Sequence, residues 1–230
     1  IDTMNVFLQD GEFLSTMIGY TTTPESCTQI ADGTATVTIP MSCGVNGRPC
    51  TSAQPYTIGN AALGDLDLSP YQSKYTDARF QYLYTAAELN SWGLSAGTMN
   101  SLAYFVVSKF STRPFNNFTI KMGCTTLDSV SITNFNETLQ IVYIGNYTTQ
   151  PGWNEHPFIN TFDWNGTDNL VVEICFDNTN PPDFVNDIVT SSPTAYPSTA
   201  GLFVQDIGLS VCNFQQPATT FNERPDIRFM

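Results

Sequence analysis

Apolar residues along this chain recur mostly at every second position, which is the period of a β-strand with one face in a core. The clearest case spans residues 153–178. Phe158, Ile159, Phe162 and Trp164 lead into Asn165-Gly166 and Asp168-Asn169, and Leu170, Val172, Ile174 and Phe176 lead out on alternate positions. Asn-Gly readily adopts the positive φ angles of a tight turn, so the segment predicts a hairpin with one face in the core. Residues 34–39 alternate three threonines with Ala35, Val37 and Ile39, between Asp32-Gly33 and Pro40. Met4, Val6 and Leu8 before Asp10-Gly11 predict another hairpin. Phe80, Tyr82 and Tyr84 make a strand, as do Phe118, Ile120 and Met122, and residues 140–144. Residues 101–110 are apolar on both faces, as expected of a strand central in its sheet. A late pair of strands is expected at 201–205 and 209–214.

Only one stretch predicts a helix. Thr85 stands three residues before Glu88 in a capping-box spacing, and Gly93 is placed to end the helix. Residues 50–75 are rich in turn formers and read as a long loop or edge segment, and 181–193 as a polar excursion. The whole predicts an all-β fold, an antiparallel β-sandwich of jelly-roll type with one short helix and long loops. Two parts are expected: an N-terminal β segment at 1–50, and the sandwich at 51–230.

Charge narrows the function classes. The chain carries 21 acidic and 8 basic residues, and between Lys121 and Arg224 there are eleven acidic residues and no basic one. Such a surface repels phosphate backbones, which argues against nucleic-acid binding. No apolar run reaches the length of a membrane span, so no membrane insertion is expected. Cys27, Cys43, Cys50, Cys124, Cys175 and Cys212 form an even set without a CxxC pair, and only one histidine is present. Disulfides in an oxidising compartment are the expected use of all six.

Candidate chemistry is sparse. His156, in an Asn-Glu-His-Pro setting, fits no triad motif and is expected at the surface or in a turn. Glu88, Glu155 and Glu173 are the carboxylates a glycosidase would draw on. Glu173, on a strand among apolar residues, is expected to face water on the alternate side. The pattern calls for no catalysis and no obligatory cofactor. Calcium is the one ion it suggests, first at Asp163, Asn165 and Asp168 around one turn, and after that at Asp65 and Asp67 in another loop. For sugar contact the candidate platforms are Trp92 and Trp153, with Trp164 assigned to the core.

Several separated stretches resemble one family. Residues 76–108, then NFTIKMGCTTL at 117–127, GWNEHPFINTFDWNGTDNLVVEICFDN at 152–178, and RPDIRF at 224–229 are similar to a β-sandwich module repeated in secreted and surface proteins of Bacteroidota. Upstream, CTQIADGTATVTI at 27–39 resembles the start of repeats in giant gliding-motility adhesins of the SprB type. After Ile39 the sequence departs from that repeat, so a partial repeat or an added strand is expected. The resemblance implies type IX secretion and display at the cell surface. It implies no catalytic residues. It also implies O-glycosylation at Asp-[Ser/Thr]-aliphatic patterns, met here at Thr3 and Ser129. Without a signal or a sorting domain in view, an excerpt or processed form is expected.

The first expectation for function is a non-catalytic adhesin module for attachment or gliding motility. Its partners would be neighbouring modules, copies of the same chain, or a surface polysaccharide. Three rivals have distinct signatures, one of them a hydrolase, which would need a cleft holding two carboxylates at catalytic separation. A carbohydrate-binding module would show a concave face with two or three exposed aromatics, and a filament or sheath subunit would leave an apolar N-terminal strand unpaired.

Overall fold

The computed structural model describes residues 19–22, 35–38, 55–65, 67–136, 138–179, 182–205 and 210–230. Expectations for Thr3, for Cys27, Cys43 and Cys50, and for the hairpin at Asp10-Gly11 lie outside these residues. The chain divides into two compact units, Ile1–Ser52 and Ala53–Met230. In the first, β1 (Gly19–Thr22) pairs antiparallel with β2 (Ala35–Thr38), so the threonine-rich alternation is a strand.

The second unit is an all-antiparallel β-sandwich. One sheet has the order β13 (Thr219–Phe221), β12 (Thr199–Val204), β5 (Asp77–Tyr84), β10 (Asn169–Asp177), β7 (Phe115–Thr125), β8 (Gln140–Tyr147). The other has the order β14 (Glu223–Pro225), β11 (Ile188–Pro193), β6 (Gly97–Ser108), β15 (Ile227–Phe229), β3 (Tyr56–Ile58). To this second sheet β9 (Gly152–Trp164) adds along β6, and β4 (Leu63–Asp65) along β11. Between them lies a core of Phe80, Tyr82, Ile120, Val172, Ile174 and Phe176 from the first sheet, against Leu102, Tyr104, Phe162, Trp164 and Phe229 from the second.

The predicted hairpin at 153–178 is two strands but not a hairpin. β9 pairs with β6, whereas β10 pairs with β5 and β7, so the Asn165-Gly166 turn carries the chain from one sheet to the other. Alternation alone cannot tell the two cases apart, because both need one inward face. A second difference follows from position: β10 is flanked on both edges and buried on both faces. Its outer side chains Val171, Glu173 and Cys175 are covered by residues 126–136 and by a 3-10 turn at Val211–Asn213. That turn replaces one of the expected late strands. Cys212 within it is bonded to Cys175, and β12 pairs with β13 instead. Residues 188–193, read as part of a polar excursion, form β11. Its Val189 and Ser191 are buried while its polar pattern hides the alternation.

Among the described residues the one α-helix is α1 (Ala86–Ser91), and it forms where the capping box predicted it. Thr85 Oγ1 accepts from the Glu88 amide, and the Glu88 carboxylate accepts from the Thr85 amide at 3.0 Å. At the other end Gly93, at φ +89°, donates to Asn90 O, and Leu94 donates to Leu89 O, which completes a Schellman closure. Glu88 also accepts from Tyr196 at 2.6 Å and pairs with Arg224 at 3.1 Å, tying the helix start to β14.

Candidate functional site

The two sheets treat their outer faces differently. On the first sheet the outer face is sealed. Glu173 is fully buried there and is bound by Arg79 (2.7 Å), Lys121 (2.9 Å) and Gln81 (2.7 Å). The expectation that Glu173 faces water is therefore wrong. Its side chain does point away from the core, but covering segments close over it, and a buried carboxylate persists only with such partners. Phe135 lies against Arg79, with its ring centroid 4.3 Å from the guanidinium carbon.

The outer face of the second sheet is open. On β6 the inward residues are Leu102, Tyr104 and Val106, so Phe105 points out. On β9 Asn154 and His156 point in, so Trp153 points out. The register sets Phe105 opposite Trp153, and their rings meet edge to face at 5.3 Å. Arg228 of β15 lies on the same face. Its guanidinium carbon is 3.5 Å from the Trp153 centroid, and its Nε donates to Thr57 Oγ1 at 3.3 Å. Trp92, the C-cap residue of α1, is 47% exposed and joins them.

Together Trp92, Phe105 and Trp153 line a cleft of ≈ 400 Å³. Its polar edge is made by Thr57, Asn60, Thr190 and Asp226, with Gly59 and Ala61 between. Asp226 is 3% exposed and accepts from the Ala61 amide (2.8 Å) and the Ser192 hydroxyl (2.5 Å). Burial raises its carboxyl above the ordinary value, against the opposing pull of those hydrogen bonds, Thr190 and Arg224. Gly59, at φ +121°, is required here: a Cβ would sit 1.8 Å from Asp226 Oδ1. Asn60 Oδ1 accepts from the Ala62 amide, and the Asn60 amide donates to Ser192 Oγ at 3.0 Å, which fixes the loop that forms this edge.

The two tryptophans proposed for sugar contact thus converge, although they are 61 positions apart by their numbers 92 and 153. Sequence reasoning missed Phe105 and Asp226. Phe105 was visible as the outward member of a strand apolar on both faces, and that second apolar face is the cleft wall. Asp226 carried no signal beyond its place in the closing RPDIRF segment.

Of the other candidates, Asn165 and Asp168 meet at 2.8 Å in their turn, whereas the three glutamates lie apart. Asp163 accepts from Thr98 Oγ1, Asn165 Oδ1 accepts from the Thr167 and Asp168 amides, and Asn165 Nδ2 donates to Asp168. These side chains already serve the turn. Among the described residues no three His, Cys, Asp or Glu side chains converge on a common point. Glu88, Glu155 and Glu173 occupy three separate places: the helix start, the open face of the second sheet, and the sealed face of the first. Ser129 is exposed in the segment between β7 and β8.

Two further expectations are corrected. Cys124 is a free thiol rather than half of a disulfide. It stands in register with Leu170 and packs toward the core, whereas Cys175 is five positions further along β10 and faces the other way. His156 is not at the surface. As an inward residue of β9 it is fully buried among Tyr71, Phe118, Tyr143 and Tyr147, and hydrogen-bonds Tyr71 OH at 2.8 Å through Nε2. Burial lowers its pKa to about 3, so it is neutral.

Comparison with family models, with curated proteins and with solved structures finds no match for this chain.

Proposed function

We propose that this chain is a non-catalytic binding module of an exported cell-surface protein, and that it attaches through a saccharide held in the Trp92–Phe105–Trp153 cleft. The observation that carries the reading is the convergence of three aromatic side chains beside fixed polar groups on the open outer face of a rigid sheet. Aromatic faces take the apolar C–H faces of sugar rings, and a few placed hydrogen-bonding groups set orientation. A cleft of ≈ 400 Å³ falls within the usual range of about 300–1,000 Å³ for small-molecule sites. The Cys175–Cys212 disulfide suits an oxidising exterior. Attachment to a surface polysaccharide joins this site to the adhesin reading drawn from the resemblance.

The test is affinity electrophoresis and calorimetry of the intact chain against a panel of polysaccharides. Trp153→Ala and Trp92→Ala should each weaken binding about tenfold, since an aromatic contact contributes about 0.5–1.5 kcal/mol beyond its buried area. Melting temperature should move little for Trp92→Ala. Failure of the intact chain to retain any polysaccharide, or retention untouched by both substitutions, would overturn the proposal.

A further inference from the structure

The charges around the cleft bear on what it accepts, if the reading of it as a saccharide site holds. Asp226 is the one acidic side chain among the residues that line it, and no basic side chain is among them. A carboxylate is acceptor-only, so it favours ligand hydroxyls and opposes a ligand carboxylate or sulfate. Glu155 adds a second carboxylate on the same outer face, where its register partner Ala103 also faces Arg228. The net charge of the chain, −13, opposes anionic ligands at longer range.

Arg228 is the cation that contacts a cleft-lining ring, and its position shows what it does. It does not line the cleft. Its flat guanidinium covers the Trp153 ring at 3.5 Å, and its Nε is held by Thr57. Glu155 acts on its charge from the same face. One side of the indole is thereby occupied and its rotamer braced, which leaves the rest of the ring to the cleft. Phe105 braces the same ring edge to face from β6.

We propose that the cleft accepts an uncharged pyranoside and discriminates against uronate- and sulfate-bearing glycans, with Arg228 acting as a positioning residue for Trp153 rather than as an anion-binding group. Asn60, exposed at the cleft edge, faces the sugar hydroxyls, while Asp226 holds the loop that carries it through the Ala61 amide. Trp92, at the end of α1, supplies a second aromatic contact.

The experiment titrates the intact chain by calorimetry with neutral gluco-, manno- and xylo-oligosaccharides and, in parallel, with oligogalacturonate, alginate fragments and a sulfated oligosaccharide. The expected result is binding of at least one neutral series tenfold or more tighter than any acidic one, with no loss of affinity between 50 and 500 mM NaCl (about 14 to 4 Å in screening length). Arg228→Gln should weaken the neutral ligand several-fold and alter the near-ultraviolet dichroism of Trp153, while leaving the neutral-over-acidic preference in place. Arg228→Lys, which keeps the charge but not the flat stack, should behave like Arg228→Gln. Tighter binding of an acidic glycan, lost in high salt and in Arg228→Gln but kept in Arg228→Lys, would overturn this inference and leave the saccharide site standing. Absence of binding by every glycan would overturn both.

Discussion

At the scale of single residues, His156 has the clearest consequence. Its imidazole is neutral in the core because burial lowers its pKa to about 3, against 6.5 when exposed. Between those values the unfolded chain takes up a proton that the folded chain refuses, so stability rises with pH across the window and is lost as pH falls. Each pH unit below about 6.5 should cost about 1.4 kcal/mol until pH 3 is approached. Urea unfolding at a series of pH values should show this slope, and His156→Phe should flatten it. Glu88 acts in the same sense at lower pH. Although burial raises its carboxyl, Arg224 and the hydrogen bonds from Tyr196 and Thr85 outweigh that and lower it overall, so its contribution disappears as pH falls below the ordinary carboxylate range. An unchanged slope in His156→Phe would place acid sensitivity elsewhere.

At the scale of elements, α1 shows how local chemistry reaches the cleft. Six helical residues cannot hold themselves together in water. The capping box, the Schellman closure and the Glu88–Arg224 pair hold them instead, and the reward is a fixed position for Trp92. Thr85→Ala should lower stability by about 1 kcal/mol. Thermal melts would measure that. The same variant should weaken ligand binding without touching the cleft, through a less well-placed Trp92. Loss of stability with affinity intact would mean the helix is a connector only.

At the scale of the whole molecule, the elements were more legible than their partners. Turn residues and alternation mark most strands, and the Thr85–Glu88 spacing marks the helix. What alternation does not encode is which sheet a strand joins. Strands β9 and β10 read as a hairpin because their turn is short and Asn-Gly, yet they belong to opposite sheets. Nor does it encode what covers an outer face. Glu173 and Phe105 occupy the same kind of position, outward on a central strand. One lies beneath covering segments among Arg79, Lys121 and Gln81, and the other opens onto a cleft. His156 was misread for a related reason: a lone polar residue in a Pro-flanked segment suggests a turn, and only the packing of four aromatic rings around it makes an inward position tolerable.

The pairing of β3 with β15 sets the first and last strands of the sandwich side by side, with Tyr56 opposite Phe229. A pull applied between residues 55 and 230 would therefore act across this pair and part its bonds one after another. Met230 is tied to β6 through Asn100 and Ser101, so the three-residue β3 is the strand that peels. Thr57, Gly59, Asn60 and Ala61, which form one edge of the cleft, would leave with it. Tension on the chain would thus open the cleft before it unfolds the sandwich. Single-molecule stretching between these two points should show an early, low-force step, and bound saccharide should raise the force at which that step occurs. Under the saccharide reading proposed above, such a cleft would loosen its hold as strain on the chain rises.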